Sequence, residues 1–146
     1  MKDFHFGHVD AARKTLAGRI IRTPVLPLCS NKLTPYLPPD CAMFMKLELF
    51  QNTGSFKARG ALLGLDWLDD DMRARGVAGF SGGNFALALA WAAQQNNVSA
   101  KVVMSKSADP LRINGCRKLG ADVALVDGIA AAMPELRRIE TEEGRK

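Results

Sequence analysis

The chain has 146 residues, of which 47% are hydrophobic and 24% charged, a balance typical of a folded globular domain rather than a disordered or fibrous chain. Lys and Arg outnumber Asp and Glu by 20 to 15, a net charge of +5, but the basic residues are scattered and only 7% of residues are aromatic. A nucleic-acid-binding surface needs clustered basic residues with aromatic side chains for stacking, so we expect no nucleic-acid partner.

The sequence also lacks the marks of export, membrane insertion and metal binding. The N-terminus carries no secretory signal and no stretch approaches 18 uninterrupted apolar residues, so we expect a cytoplasmic protein with no membrane partner. The three cysteines, Cys29, Cys41 and Cys116, have no CxxC spacing, which predicts free thiols and no metal site. Since only His5 and His8 are present, a catalytic base must be another residue type.

The first 42 residues differ from the rest in their predicted secondary structure. Apolar residues at helical spacing predict an amphipathic helix over residues 9–20. Thr23-Pro24 ends it, because the residue before a proline disfavours the helical conformation. Five of the seven prolines lie between residues 24 and 39, which predicts extended or irregular structure. We therefore divide the chain into residues 1–42 and a small α/β domain at residues 43–146.

Beyond residue 42, short strands alternate with helical patterns. A strand over residues 43–48 precedes a turn at residues 53–55 and a helix whose apolar face carries Ala58, Ala61, Leu62, Leu65 and Leu68. Three further units follow, with strands over residues 77–80, 100–104 and 122–126 and helices over residues 84–95, 110–119 and 129–143. Gly76 and Gly120 suit helix C-caps, and Asp109-Pro110 suits a helix start. This alternation predicts an α/β fold, an open parallel sheet with helices on both faces.

Two loops lie where a parallel sheet binds small molecules, at the carboxyl ends of its strands. Lys57 falls in the first turn of a predicted helix, where its charge opposes the macrodipole by about 0.3–1 kcal/mol and burial would add a desolvation penalty. Both effects favour a neutral amine, a nucleophile that forms Schiff bases. The second loop, residues 81–84, follows a strand and opens a helix, so its backbone N–H groups suit a carboxylate or phosphate. Taken singly, a solvated lysine and a tight turn explain these features as well.

Four motifs, in the order in which they occur, carry a resemblance to a known family. They are RTPV at residues 22–25, the stretch from residue 46 to 61 that contains QNTGSFKARGA, SGGN at residues 81–84, and the segments 102–104 and 118–123. Together they resemble the pyridoxal-phosphate-dependent serine/threonine dehydratase family, which shares the fold type of the tryptophan synthase β subunit. The resemblance implies the smaller domain of that fold, with the second domain missing.

The resemblance also implies roles for individual residues. Lys57 would hold pyridoxal 5′-phosphate covalently and take the α-proton, Asn84 would hydrogen-bond the pyridoxal 3′-oxygen, and Phe56 would pack beside the ring. The substrate carboxylate would bind the region of Thr53 with Ser81, Gly82 and Gly83. Arg59 has the family identity, and we interpret it as structural.

The activity implied is dehydration of L-threonine, L-serine or a related β-hydroxy amino acid to a 2-oxo acid and ammonia. We expect dehydration rather than racemisation, because racemases of the family resemble one another in a serine at the position of Gly82. Phe85 stands where the family usually has a histidine, which makes the packing of that loop apolar.

The chain ends before the glycine-rich loop that binds the cofactor phosphate in the family. We therefore expect either a homo-oligomer or a missing C-terminal half, weak cofactor binding by the chain alone, and self-association through exposed Val9, Leu16 and Ile20. The alternative is a truncated, catalytically incomplete α/β module. A cysteine-synthase-like enzyme shares fold and cofactor but fits Phe56 and residues 58–60 less well. A nucleotide-binding unit lacks GxGxxG and its acidic partner.

Overall fold

The computed structural model describes residues 5–28, 32–38 and 40–146, so Cys29 lies outside the described part. Its helices are α1 (Phe6–Thr15), α2 (Lys57–Asp66), α3 (Asp70–Arg75), α4 (Asn84–Gln95), α5 (Pro110–Lys118) and α6 (Ala132–Glu143). The strands are β1 (Val25–Pro27), β2 (Phe44–Lys46), β3 (Val77–Phe80), β4 (Ala100–Ser105) and β5 (Asp122–Val126). Single 3₁₀ turns occur at Thr34–Tyr36, Glu48–Phe50 and Asn52–Gly54.

A parallel sheet with strand order β3-β4-β5 forms the centre of the fold. Val77 pairs with Ala100 and Val102 with Val123, which aligns the carboxyl ends of the three strands at one edge. Helices cover both faces, because consecutive residues of the central strand β4, Val102, Val103 and Met104, are all buried. Val102 and Met104 belong to the main core with α2, α4 and α5, while Val103 packs on the other face with Ile139 of α6. The predicted α/β architecture is therefore confirmed.

The strand predicted over residues 43–48 does not join this sheet. β2 instead pairs antiparallel with β1, Leu26 facing Met45, in a separate two-stranded sheet. The expectation that a parallel strand–helix unit begins the core here is wrong. Its three residues are exposed, so no core face dictates where β2 pairs, and the extended proline-containing segment before it supplies the partner.

The predicted helices are confirmed with changes at their ends. α4 spans the predicted residues, α5 ends one residue early, and α6 begins at Ala132 rather than residue 129. Asp109 caps α5, its side chain accepting a hydrogen bond from the Leu111 N–H at 2.8 Å. Gly76 is a C-cap, but of α3, a six-residue helix that the sequence analysis did not predict.

The N-terminal helix departs most from expectation. α1 begins at Phe6 and ends at Thr15, with His5 as its N-cap, instead of covering residues 9–20. Leu16 is 5% exposed in the main core, and Ile20 packs against that core. The expectation that Leu16 and Ile20 lie exposed is therefore wrong, because the turn after α1 folds onto the core, whereas Val9 is exposed as expected.

Close packing holds α4 at the centre of the molecule, against β3, β4, α2 and α5. Its buried face is almost entirely alanine, with Ala86, Ala88, Ala90, Ala92 and Ala93 nearly inaccessible. A Cβ at Gly79 of β3 would lie 2.7 Å from a Leu89 methyl, so a larger residue there would force the Leu89 side chain to move. In the part of the chain described, no helix has the length and apolar character needed to cross a bilayer.

Candidate functional site

One arginine shows that α2 and α4 run in the same direction. Arg19 donates two hydrogen bonds to Asp66, the last residue of α2, at 2.5 and 2.9 Å, and one to Asn96, just after α4, at 3.3 Å. The carboxyl ends of these packed helices therefore lie together. Their N-termini, at Lys57 and Asn84, consequently share the opposite end, so the fold brings the two predicted loops to one place.

Lys57 is the first residue of α2, as predicted, and its side chain is exposed. Its Nζ atom lies 5.1 Å from the centroid of the Phe56 ring, which is itself 60% exposed. The expected burial of this amine is wrong, because the buried face of α2 carries Ala58, Ala61, Leu62 and Leu65 and leaves Lys57 outside it. What the chain provides is an accessible primary amine beside an accessible aromatic face.

The turn before Lys57 is strained and holds two unpaired hydroxyl groups. Thr53 has a φ of 62°, a region that costs a β-branched residue roughly 1–3 kcal/mol. Thr53 Oγ1 and Ser55 Oγ are both buried, and neither has a hydrogen-bond partner among the residues described. Buried hydroxyls are nearly always paired in folded proteins, so this pair of exceptions points to a missing partner at the turn.

The loop at residues 81–84 is held by its own backbone and by Ser81. The Ser81 N–H donates to the Val103 carbonyl of β4 at 3.1 Å, and Ser81 Oγ accepts from the Gly83 N–H at 3.1 Å. Gly83 is the N-cap of α4 and has no side chain to satisfy the first N–H groups of that helix. These groups and the helix dipole favour an anion at this position. The structure therefore places Ser81, Gly82 and Gly83 where a carboxylate could bind.

Asn84, the first residue of α4, is exposed, and among the residues described its side chain bonds Arg112 of α5. Arg112 Nη1 donates to Asn84 Oδ1 at 2.5 Å. Arg112 could not be predicted from the sequence, because its contact joins residues on two different helices that are 28 positions apart along the chain.

A second group missed from the sequence ties the N-terminal segment to α2. Arg59 donates to both carboxylate oxygens of Glu48, at 2.9 and 2.7 Å, and Thr23 Oγ1 donates to the same carboxylate at 2.6 Å. Hydrogen bonding from the Arg59 guanidinium lowers the pKa of Glu48 from 4.5 to about 2. The buried Gln51 side chain bonds both the N–H and the carbonyl of Ile21, at 3.0 and 2.8 Å. Arg59 is therefore structural, as interpreted from the sequence.

These hydrogen bonds join residues on both sides of the domain boundary that we place at residue 42. The boundary itself stays a prediction. The two cysteines in the described residues, Cys41 and Cys116, are free thiols. Burial raises the pKa of Cys116, which makes it an unreactive core residue.

The residues at the shared end of α2 and α4 suit a planar aldehyde that carries anionic groups. An accessible amine lies beside an aromatic face, two buried hydroxyls lack partners, and a glycine loop opens a helix. Pyridoxal phosphate has this chemistry, and the roles predicted for Lys57, Phe56 and Asn84 in holding it are compatible with the geometry. The individual roles remain predictions.

Comparison with known proteins extends this argument. The chain matches the family described as pyridoxal-phosphate dependent enzyme over residues 16–145. It is 50% identical over 107 residues to phenylserine dehydratase from Ralstonia pickettii, covering 73% of this chain and 33% of that protein. It is 36% identical over 137 residues to a putative threonine dehydratase from Sinorhizobium fredii (strain NBRC 101917 / NGR234), covering 93% of this chain and 40% of that protein.

The fold of the chain is also similar to that of solved structures. Serine racemase from Dictyostelium discoideum superposes with a TM-score of 0.83 at 28% identity, covering 97% of this chain and 45% of that one. The processed form of threonine deaminase isoform 2 from Solanum lycopersicum superposes with a TM-score of 0.74 at 30% identity, covering 87% and 34%. The chain spans about a third to two fifths of the length of the curated relatives. Because the family match covers residues 16–145, most of the sequence, the chain belongs to the pyridoxal-phosphate-dependent enzyme family.

Proposed function

We propose that this chain carries the lysine-bearing part of a dehydratase that converts a β-hydroxy amino acid to a 2-oxo acid and ammonia. L-Threonine, L-serine and phenylserine are the substrates to test, since the relatives described above include a phenylserine dehydratase and a putative threonine dehydratase. The observation that carries the proposal is the shared end of α2 and α4. There α2 begins at Lys57, α4 begins at Asn84 directly after the 81–83 loop, and the turn that contains Thr53 packs against α4.

Each group at the shared N-terminal end of α2 and α4 has a chemical role in this proposal. When bound, pyridoxal phosphate supplies an aldehyde for the covalent link and a ring that stabilises negative charge at the substrate α-carbon. The Lys57 amine holds the cofactor and, once displaced by substrate, accepts the α-proton at Nζ. Phe56 offers the ring an apolar face, and the Asn84 carboxamide offers a hydrogen bond to an oxygen on it.

The Ser81–Gly83 loop suits the carboxylate of the substrate. The N–H groups of the first turn of α4 point toward the site and carry the positive end of the helix dipole. Ser81 keeps the loop in shape through its bond to Gly83. The Thr53 and Ser55 hydroxyls are buried donors without acceptors in the described residues, so a carboxylate would pair with them only after a shift of this turn exposes them.

Racemisation of an amino acid is the second candidate, because serine racemase from Oryza sativa is 31% identical over 137 residues. A racemase needs an acid on the cofactor face opposite to Lys57 to return the proton from the other side. Gly82 has no side chain to provide it. We therefore favour dehydration.

Borohydride trapping tests the covalent link. Incubating the chain with pyridoxal phosphate, reducing with borohydride and mapping peptides should place the label on Lys57, and Lys57→Ala should abolish both the label and the visible absorbance band. Lys106→Ala is the matched control, since Lys106 is also exposed near the carboxyl edge of the sheet, paired with Asp127 at 2.9 Å. A label that persists in Lys57→Ala would refute the assignment.

Activity is a separate measurement. Release of ammonia and a 2-oxo acid from L-threonine, L-serine or phenylserine supports the dehydratase. A chain that binds pyridoxal phosphate only weakly, forms the adduct and turns over nothing would instead support the incomplete module. In that case these residues need the remainder of a longer protein or another chain for activity.

A further inference from the structure

The guanidinium group of Arg112 has an unusual location and partner. It lies in the first turn of α5, where a cation opposes the helix dipole. No carboxylate lies within ion-pair distance of it among residues 5–28, 32–38 and 40–146. Its hydrogen bond instead goes to Asn84 at 2.5 Å, across the packed α4–α5 interface. A charge in an unfavourable position, bonded to a neutral site residue, calls for an explanation beyond stability.

Hydrogen-bond chemistry fixes which end of the Asn84 amide faces Arg112. A guanidinium group has only donors, so the amide must present its oxygen, and its NH₂ group must point away from Arg112. Without this contact, the two ends of the amide would exchange freely on an exposed side chain. The contact therefore selects one of two amide orientations.

We propose that Arg112 is a positioning residue that holds the Asn84 carboxamide with its NH₂ group toward the ligand. The proposal rests on the proposed function, in which Asn84 donates to an oxygen on the pyridoxal phosphate ring. An amide turned the other way would present its oxygen to that oxygen and repel it. Arg112 also polarises the amide, since an acceptor bonded to a cation makes the NH₂ group a stronger donor.

The first measurement needs no cofactor. The order parameter of the Asn84 side-chain ¹⁵NH₂ group, assigned by its disappearance in Asn84→Ala, should be high in the wild-type chain. In Arg112→Met it should fall below about 0.6, the range of flexible groups. Arg112→Lys should restore it in part, because an ammonium group also donates to the oxygen. Arg117→Met, which removes a charge from the exposed last turn of the same helix, should leave it unchanged.

The second measurement is a double-mutant cycle on pyridoxal phosphate binding, followed by absorbance. Arg112→Met should raise the Kd about threefold to tenfold, the range expected for one hydrogen bond. The same substitution made in Asn84→Ala should have no further effect, because Arg112 acts through Asn84. Thermal unfolding of every variant identifies any that fail to fold, and Arg112→Lys then provides the comparison.

The results distinguish failure of this proposal from failure of the proposed function. An Asn84 order parameter that is unchanged in Arg112→Met overturns the proposal, as do additive effects in the cycle, which would mean that Arg112 contacts the ligand directly. If the wild-type chain forms no borohydride-stable adduct at Lys57, the proposed function fails. The order parameter still decides whether Arg112 restrains Asn84.

Discussion

At the scale of single residues, the site differs from the rest of the molecule in being locally unfavourable. Thr53 adopts a φ of 62°, and the Thr53 and Ser55 hydroxyls are buried without partners in the described residues. Each feature costs free energy in the unliganded chain, and each lies within four residues of Lys57. Strain and unsatisfied groups of this kind cluster at binding sites, where a ligand compensates for them.

We expect Ser55→Ala to stabilise the chain and Ser81→Ala to destabilise it. Ser55 is 6% exposed and its hydroxyl is unpaired, so its removal should raise the free energy of unfolding by about 1 kcal/mol. Ser81 Oγ accepts the Gly83 N–H, and losing that bond should cost about 0.5–1.5 kcal/mol. Urea denaturation measures both. A less stable Ser55→Ala would mean that its hydroxyl has a partner in the unliganded chain.

Gly82 provides a test of reaction type. A Cβ at this position would contact the Ala108 methyl at an ordinary distance of 3.7 Å, so the backbone has room for a first side-chain atom. We expect Gly82→Ser to fold normally and to increase the fraction of L-serine converted to D-serine, measured by chiral chromatography beside ammonia release. Gly83→Ser, one position along, is the control. Substantial D-serine from the wild-type protein would contradict our preference for dehydration.

At the scale of elements, the sequence predicts those helices and strands whose bounds depend on residues close together in the chain. α4, β3 and β5 have the predicted bounds, because their apolar patterns and the glycines just before them, at residues 82–83, 76 and 120, mark where they begin. The pairing of β2 with β1 could not be predicted, since it depends on partners some 20 residues apart with no buried face. The site followed the same rule: Lys57 and Asn84 were found from motifs, while Arg112 and Glu48 act through contacts that only the fold creates.

The Glu48–Arg59 pair should make stability depend on pH. Arg59 lowers the pKa of Glu48 from 4.5 to about 2 in the folded chain, so the stabilisation is complete above pH 4.5 and is lost as the pH falls toward 2. We expect Glu48→Gln to lower the free energy of unfolding by about 1.5–3 kcal/mol at pH 7. That difference should shrink steadily below pH 4.5, in denaturation series at several pH values.

Asp10→Asn is the control for this titration. Asp10 lies 3.4 Å from Arg13 with both side chains more than half exposed, so its ion pair contributes little. Its variant should track the wild-type chain at every pH. A Glu48→Gln difference that is constant from pH 7 to pH 2 would show that the carboxylate charge is not what holds the N-terminal segment.

At the scale of the whole molecule, several exposed apolar side chains are neighbours on one feature, while others, such as Trp67 and Ile129, lie elsewhere in the chain. We call this feature the hairpin surface: β1, β2 and the turn after them, whose large apolar side chains are 40–64% exposed, namely Val25, Leu26, Phe44, Met45, Leu49 and Phe50. An isolated two-stranded sheet is marginally stable in water, and an exposed apolar patch of this kind marks an interaction surface. The self-association expected from the N-terminal helix is therefore better assigned here, because Leu16 is buried.

We expect the chain to self-associate through the hairpin surface. Phe44 is 64% exposed on β2, and replacing it with serine removes apolar area without touching the core. Sedimentation velocity over a range of concentrations should show the wild-type chain shifting to larger species, with Phe44→Ser shifting only at higher concentration. Leu111→Ser is the matched control, since Leu111 is 80% exposed on α5, away from the hairpin. If both variants associate like the wild-type chain, some other surface drives assembly. If the wild-type chain stays monomeric at every concentration, the hairpin surface does not bind a second copy.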